Sequence, residues 1–248
     1  MRRIARMDLP PATQRALDSR QEKAIEKRAA GTLDIEKEWK GARQTKSLKT
    51  ALSVLKTMAG ERERCMYCGD SHGTDMEHFW PKTPYPDRMF CWPNLLLSCT
   101  ECGRFKGDGF PLDNGAPVLV DPTAGDPWQH LDFDPDTGNI AARFDTDAND
   151  WSRRGAMTVE VLQLDRREAL NASYQKTWRR LRIHLEAAIH EVAPDPGNLA
   201  EALQGADDHG LLGWCFTGTG RNVAPVSTFR QQHPDVWNAC EQALIRHD

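Results

Sequence analysis

Residues 65–68 read CMYC and residues 99–102 read CTEC, and these two stretches decide the central part of the fold. Thirty residues, 69–98, lie between them. Two CxxC pairs at such a distance are typical of a structural zinc site, in which four thiolates complete a tetrahedral shell. We therefore predict a structural Zn²⁺ bound by Cys65, Cys68, Cys99 and Cys102. The alternative interpretation is a group of four reduced, buried cysteines.

The segment between the two cysteine pairs carries polar residues that indicate chemistry. It contains DMEHFWPK at 75–82, in which Glu77 precedes His78, and WPNLLLSC at 92–99, in which Asn94 precedes the second pair. GRFKG follows at 103–107. A zinc ion would bring residues 65 and 102 together, so the segment between them should form a compact loop. The sequence therefore predicts that these polar residues lie in a loop that zinc holds in place.

This layout resembles that of the HNH endonucleases. The resemblance rests on CMYCG at 65–69, Glu77-His78 followed by Pro81-Lys82, Asn94-Leu95, and the second CxxC followed by Lys106-Gly107. It implies a ββα-metal core, in which two short strands and a helix surround one divalent ion. It also implies that His78 is the general base, that Glu77 binds the catalytic metal, and that Asn94 fixes the loop that orients the base.

The chemistry of phosphodiester hydrolysis agrees with those roles. An imidazole has a suitable pKa to deprotonate water near pH 7, and a Mg²⁺ or Mn²⁺ ion prefers carboxylate ligands. Alternate residues of a strand share a face, so Asp75 is a candidate second ligand beside Glu77. Cationic side chains after these motifs are predicted to bind phosphates: Lys82, Arg104 and Lys106.

One position departs from the family pattern. Many HNH endonucleases carry Asn or His, a metal ligand, directly after the last cysteine of the second pair, and this chain has Gly103 there. Asp75 or another polar group could complete the metal shell. The alternative is a weakened or non-catalytic zinc module that binds nucleic acid or protein. An RNA or tRNA nuclease also stays open, because nothing in the sequence reads a 2′-hydroxyl.

A longer resemblance covers roughly residues 1–190. MRRI, EHFWPK, WPNLLLSC, KGDGFPL, VDPTAGDPWQHLDFDPDTGNI and LQLDRREAL are similar to the HNH nucleases of Septu anti-phage systems, which also occur beside retrons. The resemblance implies DNA as the substrate, a role in antiviral defence, and an ATPase partner of the ABC/SMC type. An oligomer formed through that complex is left open.

Charge and composition define three segments. Residues 1–60 carry 14 Lys/Arg against 7 Asp/Glu, residues 61–115 carry 6 against 9, and residues 116–248 carry 12 against 20. A basic arm on an acidic chain suits nucleic acid at one end and a protein partner at the other, although a solvated helix surface is the alternative. The chain has neither a secretory h-region nor an apolar run long enough to span a membrane, which predicts a cytoplasmic protein without a membrane partner.

The expected fold class is α+β. A helical arm at 1–60 and a mixed, mainly helical region at 116–248 flank the zinc-bound ββα-metal core at 61–115. Within the arm, residues 12–30 and 33–59 have helical periodicity. Farther along, we predict strands at 116–120 and 158–164, a hairpin around the DPDTGN turn at 134–139, and a long helix capped by Asp165. The apolar stripe of that helix is Leu170, Tyr174, Trp178, Leu181, Leu185, Ala188 and Val192.

Overall fold

The computed structural model describes residues 1–245, in which helices are combined with four small antiparallel strand pairs. This confirms the α+β fold class. The chain divides into two units. The central unit comprises Ile4–Met66 and Ser71–Pro117, and the C-terminal unit comprises Met1–Arg3, Tyr67–Asp70 and the chain from Val118 onward. The division at 60 and 115 stays a prediction, and residues 246–248 of its last segment lie outside the described residues.

Three helices form the first part of the central unit: α1 (Pro11–Ala29), α2 (Ile35–Arg43) and α3 (Lys46–Met58). The predicted helical stretch 33–59 is thus two helices. Asp34 caps α2 by accepting a hydrogen bond from the Lys37 amide, and the extended backbone of Thr45 separates α2 from α3. The buried face of α3 packs on α1.

A strand pair and a short helix carry the residues of interest: β1 (Asp75–His78), β2 (Leu95–Ser98) and α4 (Thr100–Lys106). Strands β1 and β2 are antiparallel, and Glu77 lies opposite Leu96. All four residues of β2 are buried, and α3 packs against this strand. Burial on both faces explains why β2 has three consecutive leucines rather than an alternating pattern. The next strand pair is β3 (Leu112–Asp113) with β4 (Ala116–Pro117).

The C-terminal unit combines small hairpins with helices. Its strands are β5 (Leu131–Phe133), β6 (Ile140–Ala142), β7 (Phe144–Asp145) and β8 (Asp150–Trp151). Its helices are α5 (Arg153–Leu162), α6 (Glu168–His190), α7 (Pro196–Ala206), α8 (Leu211–Phe216), α9 (Val226–Gln232) and α10 (Pro234–Ile245). Strands β5 and β6 pair as the predicted hairpin around residues 134–139. Aromatic rings from this hairpin, α6 and α8 form its core: Phe133, Tyr174, Trp178 and Trp214.

One predicted strand was wrong, and another was longer than the strand that forms. Residues 158–164 belong mostly to α5, which begins when the Ser152 side chain accepts a hydrogen bond from the Gly155 amide and which packs on β6. Its buried residues lie three and four positions apart, so its alternating sequence was misleading. Of residues 116–120, only Ala116–Pro117 form a strand.

The long helix is shorter than predicted at both ends. Asp165 lies in the turn after α5, and α6 starts with Arg167 at its N-cap without a side-chain hydrogen bond. The predicted cap was therefore wrong, because α5 leaves only a turn for those residues. The predicted stripe is buried from Leu170 to Ala188, which confirms that face. Val192 lies beyond the helix and is fully exposed, so it was wrongly assigned to the stripe.

Candidate active site and cysteine cluster

The four predicted zinc ligands form a buried cluster. The sulfur atoms of Cys65, Cys68, Cys99 and Cys102 all lie within 4.8 Å of one another. Thiolates around one tetrahedral zinc, each bonded at 2.3 Å, are about 3.8 Å apart, so this donor set fits Zn²⁺. The cluster can therefore hold a zinc ion, as the two CxxC pairs predict.

The second cysteine pair sits at the start of α4. Cys99 is the N-cap residue, and its sulfur accepts a hydrogen bond from the Cys102 amide at 3.4 Å. Unpaired amides and the helix dipole at a helix N-terminus favour thiolates. A bound zinc would thus anchor the first turn of α4, whose last turn carries Lys106.

Glu77 and His78 point to opposite sides of β1, as neighbours on a strand must. The Glu77 carboxylate faces α4, where Oε1 accepts from the Lys106 ammonium at 2.9 Å. The ring of His78 instead packs against Trp39 of α2, with ring centroids 4.3 Å apart. One strand therefore presents a carboxylate on one face and an imidazole on the other.

The surroundings of Glu77 are partly apolar and partly cationic. Burial raises the pKa of Glu77, and the adjacent Lys106 ammonium opposes that shift. A Cβ atom built on Gly103 would lie 3.4 Å from Glu77 Oε2 and 3.9 Å from Ser98 Oγ. Gly103 therefore faces Oε2 of the Glu77 carboxylate, the oxygen that does not pair with Lys106 in this contact.

His78 is buried, with 6% of its surface exposed, and its ring contacts a backbone carbonyl. Its Nε2 lies 2.9 Å from the Met89 carbonyl oxygen. A carbonyl can only accept, so Nε2 carries the proton and Nδ1 carries the lone pair. Burial lowers the pKa of His78 to about 3, which the hydrogen bond to Met89 opposes. The imidazole is therefore neutral at pH 7.

Asn94 joins the end of β1 to the segment before β2. Its Oδ1 accepts from the Trp80 amide at 2.7 Å, and its Nδ2 donates to the carbonyls of Trp80 and Arg88 at 3.0 Å. Arg88 directly precedes Met89, whose carbonyl accepts from His78. Asn94 thus fixes the backbone on both sides of the imidazole, and its catalytic role stays a prediction.

Two other predicted residues form ion pairs with α2. Asp75 accepts from Arg43 at 2.7 Å, and Lys82 lies 2.7 Å from Glu36. Trp39, the neighbour of His78, lies on the same helix. These α2 residues are three and four positions apart, so one face of α2 covers the candidate site. This face was not predicted from the sequence, in which its signal is the spacing of three and four positions.

The predicted phosphate ligands differ in accessibility. Arg104 is exposed on α4 and Lys82 is partly exposed, whereas Lys106 is 1% exposed. The Lys106 ammonium donates to Glu77 Oε1 and, at 2.7 Å, to the His78 carbonyl. Lys106 therefore lies inside the candidate site rather than on its surface.

No protein-family model matches this chain. The chain is 30% identical to a Septu protein PtuB of Bacillus thuringiensis over 112 residues, which are 43% of this chain and 38% of that protein. It is 31% identical to a Septu protein PtuB of Bacillus mycoides over 136 residues, which cover 42% of this chain and 44% of that protein. The chain thus spans about two fifths of the curated relatives that it matches, and the similarity relates it to the Septu proteins. These matches are shorter than the predicted resemblance over residues 1–190.

Among the helices of residues 1–245, none is both long enough and apolar enough to cross a membrane.

Proposed function

We propose that this chain is a metal-dependent HNH endonuclease that hydrolyses DNA in anti-phage defence. The observation that carries the proposal is the arrangement of Glu77 and His78 on β1. Strand β1 pairs with β2, and the helix α4 starts within the cysteine cluster and ends beside Glu77. Strand β1 thus carries a carboxylate on the side of α4 and an imidazole on its other side, and this arrangement supports the proposed ββα-metal core.

In this proposal His78 is the general base. The Met89 carbonyl holds the Nε2 proton, so Nδ1 is the atom that takes a proton from water. Without substrate the pKa of His78 is about 3, so the imidazole is neutral at pH 7 but a weak base. A bound phosphate would bring negative charge, which favours the protonated imidazole that forms during the reaction.

Glu77 is the proposed ligand for Mg²⁺ or Mn²⁺, and Asp75 is the proposed second ligand. Lys106 occupies Oε1 of Glu77, while Oε2 faces the space beside Gly103. One or two carboxylates fit this ion, because Mg²⁺ usually keeps several waters and binds substrate phosphates. When bound, the ion would neutralise charge on the scissile phosphate and on the leaving oxygen.

The residues around Glu77 and His78 are proposed to position the base and to bind phosphates. Asn94 fixes the loop on which the His78 site depends. Lys82 and Arg104 are the accessible cations, and they would bind phosphates on either side of the scissile bond. A substrate phosphate at Lys82 would replace Glu36, a partner whose side chain is largely exposed. Because one partner is in contact with solvent, this pair contributes only about 1 kcal/mol, so its loss costs little.

The similarity to Septu protein PtuB supports the defence role. A chain of that system would act on DNA with an ATPase partner of the ABC/SMC type, in the cytoplasm. The basic segment 1–60 is the surface proposed for nucleic acid, and the acidic region from 116 onward is proposed for the protein partner.

Plasmid cleavage tests this function. The chain, alone and co-expressed with its ATPase partner, is incubated with supercoiled DNA and Mg²⁺ or Mn²⁺. We expect cleavage by the wild type and by His184→Ala, in which a histidine of α6 is removed, and a loss of at least about 10²-fold in His78→Ala. Equal rates for wild type and His78→Ala would refute His78 as the base. A parallel reaction with tRNA separates the DNA from the RNA interpretation.

A second candidate is a non-catalytic zinc module. The ion pair between Lys106 and Glu77 favours it, because a protein cation already neutralises the proposed metal ligand. Phage protection by a Glu77→Ala/His78→Ala double variant would support this module. Loss of protection by a double variant that folds and retains zinc would support the nuclease.

A further inference from the structure

Lys106 is the last residue of α4 and its side chain is fully buried. Its ammonium bonds to Glu77 Oε1 at 2.9 Å and to the His78 carbonyl oxygen at 2.7 Å. Taking an ammonium out of water is costly unless the protein supplies such partners. One side chain from α4 therefore holds both proposed site residues of β1.

Lys106 and Gly103 act on the same carboxylate from one face of α4. They are three residues apart, which places them on one side of the helix. Lys106 engages Oε1, whereas the Cβ position of Gly103 lies 3.4 Å from Oε2. The absence of a side chain at 103 thus leaves room beside the oxygen that Lys106 does not engage.

We propose that Lys106 is a positioning residue of the nuclease site, which fixes Glu77 so that Oε2 faces the space over Gly103 and weakens divalent-cation binding through its charge. The inference rests on the proposed function, because it assumes that Glu77 binds the cation. Lys106 also positions the proposed base, because its ammonium donates a hydrogen bond to the His78 carbonyl. Full burial separates this role from phosphate binding, which requires an accessible ammonium.

The charge of Lys106 allows this positioning role to be distinguished from a purely structural one. An ammonium near a divalent cation repels it, so removing that charge should tighten cation binding. Removing the same group also releases Oε1 and the His78 carbonyl, so the turnover rate should fall because catalysis depends on geometry. A side chain that only supported the fold would not produce these opposite changes.

The test compares wild type, Lys106→Met and Arg62→Met, which removes an exposed cation from the turn after α3. Lys106→Met keeps most of the buried volume and removes the charge. Titration with Mn²⁺, followed by electron paramagnetic resonance on zinc-loaded protein, measures cation affinity without relying on activity. Plasmid cleavage measures kcat and the Mn²⁺ concentration for half-maximal rate. Mn²⁺ binding that is lost in Glu77→Gln is assigned to this site.

We expect Lys106→Met to bind Mn²⁺ about tenfold or more tightly and to cleave about 10²-fold more slowly, while Arg62→Met matches wild type. An unchanged Mn²⁺ affinity, or an unchanged kcat in an active protein, would overturn the proposal. If Lys106→Met does not fold, Lys106→Gln replaces it, and the same rise in affinity is required.

Failure of the proposed function has a different outcome. A wild type that cleaves neither DNA nor RNA, with or without its partner, would refute the nuclease. The positioning role of Lys106 would still be supported if Mn²⁺ binding requires Glu77 and is tighter in Lys106→Met than in wild type. Mn²⁺ binding that is the same in wild type and Glu77→Gln would overturn the Lys106 proposal, whatever the activity.

Discussion

Replacing Gly103 with alanine should make the chain more stable and the site less active. Gly103 lies inside α4, where glycine costs about 0.5–1 kcal/mol relative to alanine. The added Cβ would contact Glu77 Oε2 at 3.4 Å and Ser98 Oγ at 3.9 Å, which are ordinary van der Waals distances. We therefore expect a gain of about 0.5–1 kcal/mol, or a melting temperature higher by about 1–4 °C.

The same methyl group would fill the space beside Glu77 Oε2. If this oxygen binds the divalent cation, the methyl group would hinder that contact, and the half-maximal Mn²⁺ concentration for cleavage should rise about tenfold, which corresponds to about 1.4 kcal/mol. Calorimetry and plasmid cleavage measure the two effects. Gly205→Ala in α7 is the matched control, because a Cβ there meets nothing within 4 Å. It should stabilise the chain without changing the Mn²⁺ dependence.

Two results would refute this reasoning. A destabilised Gly103→Ala variant would mean that the space beside Glu77 is smaller than the distances indicate. A stabilised variant with wild-type Mn²⁺ dependence would mean that the cation does not bind over Gly103. Either result would remove the explanation for a glycine at this position.

Three further predictions concern the neighbouring residues. Asn94→Ala should lower the free energy of unfolding in urea by about 3 kcal/mol, because it removes three part-buried hydrogen bonds. A loss under about 1 kcal/mol would contradict their geometry. The pKa of His78 is about 3 when folded, against 6.5 in the unfolded chain, so its neutral form stabilises the fold above pH 6.5 and that contribution is lost as the pH falls. Between pH 7 and pH 5 the wild type, without Mg²⁺ or Mn²⁺, should lose about 2 kcal/mol more stability than His78→Gln, and equal losses would show that His78 titrates normally. Cys65→Ser should lose its zinc, as measured by elemental analysis, and its central unit should unfold at a lower temperature. A variant that melts like wild type would exclude a structural zinc.

The cysteine cluster was predictable because its signal is local. Each CxxC pair fixes two ligands within one turn, and only the meeting of the two pairs requires the fold. The strand end at Glu77-His78 was also visible, since alternation alone sends the two side chains to opposite faces. The contacts of Lys106 could not be predicted from the sequence, because a lysine three residues after a glycine is ordinarily a solvated cation. Only packing of α4 against β1 reveals that it is buried.

Errors outside the site have similar causes. The sequence of α5 alternates like a strand, but the Ser152 cap and packing on β6 favour a helix. The capping pattern predicted a helix start at Asp165, but this residue lies in the turn between α5 and α6. The covering face of α2 went unnoticed because Glu36, Trp39 and Arg43 contact residues that are distant in sequence. Long-range contacts of this kind leave only a weak periodic signal.

The most direct test of the account is a crystal structure of the zinc-loaded chain with Mn²⁺ and a short DNA duplex, in which anomalous scattering distinguishes the two metals. The account predicts zinc among Cys65, Cys68, Cys99 and Cys102. It also predicts Mn²⁺ on Glu77 Oε2 beside Gly103, with a phosphate between the ion and the His78 face. Zinc at the cysteines with no manganese at Glu77, or manganese bound elsewhere, would contradict the proposed active site.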